Sequence, residues 1–104
     1  MTNITWKELE LWLKPVLKSN LPTKLSCPSP QDFETDSRKI KEGQWFIPLS
    51  GENFNGHNFI KDSLKNKASN FFYSQAGTLS EEEKQQGVLV SDCLRAYQLI
   101  ASGW

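Results

Sequence analysis

Apolar and polar positions divide the 104-residue chain into a regular succession of helices and strands. The first apolar stripe recurs at helical spacing and comprises Leu9, Trp12, Leu13, Val16 and Leu17. Thr5 followed three residues later by Glu8 has the spacing of a capping box, which predicts that the helix begins there. Pro15 lacks an amide hydrogen and crowds the preceding turn, so we expect the helix to end or kink near Lys14.

Beyond a proline-rich loop, short apolar runs alternate with amphipathic stretches. The predicted extended segments are FETDSR, WFIPL, NFFYS and VLVS, which begin at residues 33, 45, 70 and 88. Pro48 cannot donate to a ladder, so the second strand should leave the sheet there or lie at its edge. Strand and helix alternate after the first helix, which predicts an α/β domain with a small mixed, largely parallel sheet flanked by helices.

Three helices are predicted between and after these strands. The first covers about residues 58–68, with Phe59, Ile60 and Leu64 facing inward. Ser80 precedes three glutamates and is a predicted N-cap of a short second helix. Asp92 should cap the third helix, whose predicted buried face consists of Leu94, Tyr97, Ile100, Ala101 and Trp104. Because this helix runs to Trp104 without a stop signal, we expect the chain to be one domain, residues 1–104, of something longer.

Composition narrows the class of protein. A hydrophobic content of 38% indicates a packed globule, and twelve basic residues balance twelve acidic ones, which disfavours nucleic acid or an acidic membrane as partner. Residues 38–67 nevertheless hold six basic against three acidic residues, a bias compatible with one small anion. No signal peptide or membrane-length apolar run is visible, so a cytoplasmic location is expected. Cys27 and Cys93 lack metal or redox spacing and are expected to be reduced thiols.

Asp36, Ser37 and Arg38 form a polar cluster in front of the second strand. In one interpretation Asp36 caps a turn and Arg38 is a surface charge. In another, the Ser37 hydroxyl and nearby amides bind a phosphate or a polar ring edge, while Asp36 pairs with Arg38. A metal site is a third interpretation, but a single Asp gives it little support.

The stretch GENFNGH, residues 51–57, follows the same strand. Its glycines and asparagines suit a tight turn, and they also permit close approach of a ligand such as a uracil edge, ribose or pyrophosphate. Loops at strand ends are common ligand positions in α/β sheets. The single histidine, His57, is expected to be structural or a ligand contact, because no nucleophile accompanies it. No phosphate-loop, zinc-protease or nucleophile-elbow motif occurs in the chain.

The string from Thr35 to Ile60 resembles the signature of the N-terminal domain of the Mur ligases, which extend the peptide of the cell-wall precursor. The matching positions are Thr35, Asp36, Ser37, Arg38, Ile40, Gly43, Phe46, Leu49, Gly51, Gly56, His57 and Phe59. The resemblance covers residues 33–104 well. The first 32 residues share only a general arrangement with the family, a short helix followed by a variable loop. The form GENFNGHNFI is most similar to the branch of the family that adds D-alanyl-D-alanine to UDP-N-acetylmuramoyl-tripeptide.

That resemblance implies a Mur ligase N-terminal fold that binds the UDP end of the precursor, with roles for particular residues. Thr35 and Ser37 match positions that contact the uridine diphosphate, and Glu52, Asn53 and Phe54 match the second contact loop. Asp36, Arg38, Asn55 and His57 are implied to support these loops. Asn55 replaces the usual Asp of the family pattern, which puts any role needing a negative charge there in doubt.

The resemblance also implies that the whole enzyme would use ATP and Mg²⁺ to join D-alanyl-D-alanine to the precursor in peptidoglycan synthesis, through a central ATPase domain and a third domain. This chain would bind the precursor without catalysing the reaction, and would need no cofactor or metal of its own. Two alternatives remain: the sister ligase that adds the third, diamino residue, and a free-standing, non-enzymatic module for nucleotide sensing or protein interaction.

Overall fold

The computed structural model describes residues 4–50, 55–75, 77 and 79–103. Its helices are α1 (Trp6–Leu13), α2 (Ile60–Lys65), α3 (Glu81–Lys84) and α4 (Cys93–Gly103), and its strands are β1 (Phe33–Glu34), β2 (Trp45–Phe46), β3 (Asn70–Tyr73) and β4 (Gly87–Leu89). Short 3₁₀ turns cover Pro30–Asp32, Ser37–Lys39 and Gly56–Phe59. The alternation of helices and strands confirms the predicted α/β class.

The four strands form one parallel sheet in chain order, β1-β2-β3-β4. An isolated antiparallel bridge between Leu17 and Val90 adds the segment after α1 next to β4. The sheet is therefore mixed but largely parallel, as expected. β2 ends at Phe46, two residues before Pro48, so the proline lies beyond the ladder of an interior strand.

Side chains from alternate positions of the strands build a hydrophobic cluster on each face of the sheet. Trp45, Phe72 and Val88 face α1 and α4, whereas Phe46 and Phe71 face α2. Phe71 and Phe72 are neighbours in β3, and both are fully buried. Because successive side chains of a strand point to opposite faces, two adjacent aromatic residues serve both clusters. Apart from Asn70 at the start of β3, the central strands are consequently apolar, as is typical of a covered parallel sheet.

Local capping signals fix the ends of the short helices. The predicted capping box is present at α1, where Thr5 Oγ1 accepts from Glu8 N and Glu8 Oε1 accepts from Thr5 N, both at 3.1 Å. α1 ends at Leu13, as Pro15 predicts. Ser80 caps α3 in the same way, through Glu83. At α4, Asp92 Oδ1 accepts from Arg95 N at 3.1 Å.

The predicted buried face of α4 is right for Ile100 and wrong for Leu94, Tyr97 and Ala101. The residues that point into the core are Cys93, Ala96 and Ile100, whereas Leu94 and Tyr97 are 51% and 39% exposed. Ala101 is also exposed, and Trp104 lies outside the described residues. α4 packs directly against α1, where a Cβ at Gly103 would come within 2.3 Å of the Trp12 ring. Small residues allow this close approach, so α4 packs through a face that excludes the larger side chains of Leu94 and Tyr97.

Two other local predictions need correction. The segment 33–38 is extended only over Phe33–Glu34, because Asp36 caps a 3₁₀ turn over Ser37–Lys39. The helix expected over residues 58–68 consists of the 3₁₀ turn Gly56–Phe59 followed by α2. That change of helix type turns Phe59 outward, with 39% exposure, although Ile60 is buried as expected.

Within the described ranges, no helix has both the length and the apolar character that crossing a membrane requires.

Candidate functional site

The carboxyl ends of three neighbouring strands bring the polar segments together. Thr35–Arg38 follows β1, Leu49 and Ser50 come shortly after β2, and Ser74 follows β3. Because the strands are parallel, all three segments emerge at the same edge of the sheet. This edge is the usual position of a ligand in an open α/β sheet.

The Asp36 carboxylate organises the first of these segments. Its Oδ1 accepts from Arg38 N at 3.0 Å and so caps the 3₁₀ turn. The Arg38 guanidinium forms two further bonds, Nε to Oδ1 and Nη2 to Oδ2, both at 3.1 Å. Hydrogen bonds from Arg38 lower the pKa of Asp36. Asp36 thus caps the turn and also pairs with the otherwise exposed Arg38, while the binding of a ligand by this segment stays a prediction.

Ser37 occupies the centre of the same turn and is only 5% exposed. Its carbonyl accepts a hydrogen bond from Asn66 Nδ2 at 2.9 Å, which ties the turn to the end of α2. The Ser37 hydroxyl has no hydrogen-bond partner among the described residues, and Ser37 lines a cleft. A polar group held in this way by its backbone is placed to bond a ligand.

The cleft at this edge has a volume of about 450 Å³. It is walled by the turn after β1, the end of β2 and the start of α2, through Thr35, Asp36, Ser37, Arg38, Phe46, Leu49, Gly56, Phe59 and Asp62. Its polar groups are concentrated on the Thr35–Arg38 side, and aromatic and aliphatic side chains form much of the rest. Such a cleft suits a ligand that combines a flat apolar part with a polar or anionic part.

Gly56 brings two walls of the cleft into contact. A Cβ at this position would lie 2.3 Å from the carbonyl oxygen of Leu49 and 2.6 Å from its nitrogen. Only glycine permits two backbones to approach so closely. Gly56 N also donates to Ser50 Oγ at 3.1 Å, which fixes the contact.

Asn55 and His57 lie behind this wall, outside the cleft. They border a smaller cavity of about 190 Å³, together with Lys61 and Gln75. The His57 ring accepts a hydrogen bond at Nε2 from Ser74 N at 2.9 Å, and burial lowers the pKa of the ring below its ordinary value of 6.5. Asn55 Oδ1 accepts from His57 N at 3.0 Å and caps the 3₁₀ turn.

The structure therefore brings together Thr35, Asp36, Ser37 and Arg38 at one cleft and places Asn55 and His57 behind its wall. Glu52, Asn53 and Phe54 lie outside the described residues. The metal interpretation of Asp36 receives no support, since no group of three potential metal ligands occurs among the residues that the structure describes.

Several residues of this region were not anticipated from the sequence. Phe59 was expected in the core but lines the cleft, and Asn66 holds the Ser37 carbonyl. Ser74 was assigned only to the end of a strand, yet it bonds His57. The position of Ser74 could have identified it, because it follows a strand at the carboxyl edge of the sheet, where side chains from separate loops meet.

A parallel sheet with a largely apolar cleft at its carboxyl edge defines an α/β domain with a candidate ligand site, and comparison with known proteins identifies the family. Residues 33–104 match the family model described as "Mur ligase family, catalytic domain". The chain therefore belongs to the Mur ligase family. This result confirms the resemblance carried by the Thr35–Ile60 signature.

Similar proteins include two described as UDP-N-acetylmuramoyl-tripeptide–D-alanyl-D-alanine ligase. The chain is 33% identical to the one from Bacillus subtilis and 40% identical to the one from Synechocystis, each over 70 residues. These residues are 67% of this chain and 15% of each relative. A diaminopimelate-adding ligase from Fusobacterium nucleatum is 34% identical over 72 residues, which are 69% of this chain and 14% of that relative.

A solved structure agrees with these sequence matches. The crystal structure of MurF ligase from Thermotoga maritima in complex with ADP superposes with a TM-score of 0.56 and 26% identity. It covers 66% of this chain and 15% of that ligase. The predicted α/β fold of the Mur ligase type is thus shown by sequence and by structure.

Proposed function

We propose that this chain is the UDP-precursor-binding domain of the ATP-dependent ligase that adds D-alanyl-D-alanine to UDP-N-acetylmuramoyl-tripeptide in peptidoglycan synthesis. Family membership and the names of the first two relatives support the ligase class and the choice of branch. The binding role rests on the cleft at the carboxyl edge. Residues 1–104 would then act as one substrate domain of a larger cytoplasmic enzyme.

The observation that carries the binding role is the state of Ser37. It is almost fully buried, its carbonyl is anchored by Asn66, and its hydroxyl remains without a partner among the described residues at the floor of the cleft. The hydroxyl would donate to a phosphate oxygen or to the polar edge of the uracil. Thr35 lies beside it in the same wall. Contacts from Glu52, Asn53 and Phe54 are proposed from the family resemblance alone.

The apolar part of the cleft suits the uracil ring. Phe46 and Leu49 line the interior, and the exposed ring of Phe59 stands at the other wall. A planar base placed against such side chains removes apolar surface from water and can stack on an aromatic ring. Arg38, with its guanidinium largely exposed, adds positive charge at the polar side, where the diphosphate would lie.

The sequence contains no phosphate-loop motif for ATP, and the residues that the structure describes hold no cluster of three or more potential metal ligands for Mg²⁺. The Thermotoga relative was solved with ADP, which supports a nucleotide requirement in ligases of this kind. We therefore propose that ATP, Mg²⁺ and D-alanyl-D-alanine act outside these residues, and that the isolated chain is catalytically inactive.

The sister ligase is a second candidate, because a diaminopimelate-adding relative matches almost as well. The two activities differ in both substrates. A longer protein containing these residues should join D-alanyl-D-alanine to the UDP-tripeptide under the first proposal. It should join a diamino acid to the UDP-dipeptide under the second. Measuring product formation from each pair in parallel decides between them.

A binding experiment tests the role of the cleft. Titration with millimolar UDP-N-acetylmuramoyl-tripeptide should shift the amide NMR signals of Thr35–Arg38 and Gly56. Ser37→Ala should weaken binding about fivefold, equivalent to the loss of one hydrogen bond worth about 1 kcal/mol. The exposed Ser102 on α4 supplies the matched control, since Ser102→Ala should bind like the native chain. Unchanged amide signals at both segments would contradict the proposed function.

A further inference from the structure

The His57 ring is held in one tautomer by its neighbours. Ser74 N–H can only donate, so Nε2, at 2.9 Å, must carry a lone pair. Nδ1 lies 3.2 Å from Asn55 Oδ1, a carbonyl oxygen that also accepts from His57 N and from Ser50 Oγ. Nδ1 therefore carries the hydrogen and donates it. Both ring nitrogens are used, and the ring is neutral.

These bonds connect the cleft wall to the end of β3. Ser50 Oγ donates to Asn55 Oδ1 at 3.0 Å and accepts from Gly56 N at 3.1 Å. Asn55 Nδ2 donates to Gln75 Oε1 at 3.2 Å, so a second bond reaches the residues after β3. We call this network, formed by Ser50, Asn55, Gly56, His57, Ser74 and Gln75, the His57 latch. Of its members, only Gly56 lines the 450 Å³ cleft.

Protonation would break the latch at its centre. A second ring hydrogen on Nε2 would point at Ser74 N–H, so that two donors would face each other in a half-buried site. The nearest alternative acceptors are Ser74 Oγ at 3.3 Å and Cys93 Sγ at 4.0 Å from Nε2, both farther than the 2.9 Å bond that would be lost. Leaving a buried donor unpaired costs about 1–3 kcal/mol.

Among the described residues, other ionisable groups lie around the ring on α2, α3 and α4. Lys61 of α2 borders the same small cavity and is paired with Glu83 of α3 at 2.8 Å. Hydrogen bonding from Lys61 lowers the pKa of the Glu83 carboxyl, which keeps it charged. From α4, burial raises the pKa of the Cys93 thiol to about 12, so it stays protonated. Asp92, the residue before Cys93, caps α4 by accepting a hydrogen bond from Arg95 N.

We propose that His57 is a positioning residue for the precursor site: its neutral ring fixes the Gly56–Leu49 wall of the cleft to the end of β3, and its protonation weakens binding of the UDP precursor. This inference rests on the proposed function. The latch contributes fully above the ordinary histidine pKa of 6.5 and is lost as the pH falls through the lower pKa of the folded chain. His57 is the single histidine, so one group accounts for the change.

The first test needs no ligand. In the native chain, the amide signals of Ser74 and Gly56 should shift together with the His57 ring signals between pH 7.0 and 5.5, with a common midpoint below 6.5. Asn58→Ala, an exposed change on the same 3₁₀ turn, should leave this titration unaltered. A ring that titrates at 6.5 or above, or a Ser74 amide that does not follow it, would overturn the latch.

The second test measures affinity for UDP-N-acetylmuramoyl-tripeptide, whose diesterified pyrophosphate does not itself titrate in this range. The native chain should bind more weakly as the pH falls from 7.0 through the lowered pKa of His57, by about fivefold once the ring is mostly protonated. His57→Gln places an amide oxygen near the Nε2 position, where it can accept from Ser74 N without titrating. This variant should bind within about threefold of the native chain at pH 7.0 and lose the pH dependence.

The outcomes separate the two proposals. Equal pH dependence in His57→Gln and the native chain would refute the positioning role of His57. Absence of binding at either pH would contradict the proposed function, while the Ser74 and Gly56 titration would still decide whether the latch exists.

Discussion

Gly56 lies where the backbone of Leu49 leaves room for a hydrogen atom and nothing larger. The colliding atoms would be backbone nitrogen, carbon and oxygen, all within 2.8 Å of an added Cβ. Backbone atoms cannot rotate away as a side chain can, so a methyl group here must push two segments apart. Because both segments line the cleft, the same displacement reaches the binding site.

Gly56→Ala should therefore lower the free energy of unfolding by about 2–3 kcal/mol and also weaken precursor binding. Urea denaturation and NMR titration measure the two effects. Gly43→Ala is the matched control: Gly43 has φ +88° and no atom within 4 Å of an added Cβ. Gly43→Ala should lower the free energy of unfolding by about 1–2 kcal/mol, because alanine is strained at this positive φ, and should leave precursor binding unchanged. Native stability of Gly56→Ala would contradict the close contact.

At the scale of elements, α4 shows how tertiary packing overrides an apolar pattern. Leu94 and Tyr97 share a predicted face and are exposed, whereas Ala96 and Ile100 are buried against α1 and the sheet. A helix is drawn toward its partner along the face that allows the closest approach. On α4 that face carries small residues, including Gly103 against Trp12.

Paired alanine substitutions on α4 test this orientation. Ile100→Ala should lower the free energy of unfolding by about 2–4 kcal/mol, because it leaves a cavity in the core. Leu94→Ala removes an aliphatic side chain of the same volume from the surface and should cost less than about 0.5 kcal/mol. Chemical denaturation followed by far-UV circular dichroism measures both. Equal losses of unfolding free energy in the two variants would indicate that Leu94 is buried like Ile100, as the sequence pattern predicts.

The contrast between α1 and α4 shows which parts of the fold could be predicted. Thr5, Glu8 and Pro15 act on their own turn, so the sequence contains everything needed to place the ends of α1. The same holds for Ser80 and α3. The inward face of α4 depends on Trp12, which is about eighty residues away. Capping is a local interaction and packing is not, which explains why the helix ends were predicted correctly and the buried face of α4 only for Ile100.

For the cleft, the sequence predicted the residues of one wall, Thr35–Arg38, but not the side chains that enclose the rest. Thr35–Arg38 could be selected because unusual polar residues stand at the end of a predicted strand. Phe59 could not, since its direction follows from a 3₁₀ turn in place of an α-helical one. The partnership of His57 with Ser74 joins positions 17 residues apart and depends on the parallel register of β2 and β3.

For the whole molecule, β3 couples the two hydrophobic clusters. Phe72 packs on Trp45 at a ring-centroid distance of 5.5 Å on one face, and Phe71 packs on Tyr73 at 5.8 Å on the other. Both rings belong to one rigid backbone segment. Loss of either cluster therefore removes support from the strand that carries the other, and the domain should unfold as one unit.

Phe71→Leu and Phe72→Leu should each lower the free energy of unfolding by about 1–2 kcal/mol in a single transition. Trp6, Trp12 and Trp45 all belong to the α1–α4 side, so tryptophan fluorescence reports mainly on that cluster. Far-UV circular dichroism reports on the whole backbone. The two signals should give the same urea midpoint in both variants. Separate midpoints for Phe71→Leu would show that the clusters melt independently.

The order of the strands has a consequence for synthesis. Since β1, β2, β3 and β4 are neighbours in the order in which a ribosome makes them, each new strand can join an edge that already exists. α1 is made before all four strands, but its link to the sheet through Leu17 and Val90, and its packing against α4, need residues that are made after β4. α1 therefore stays unenclosed while the sheet assembles, and its apolar stripe is the surface that a chaperone would meet.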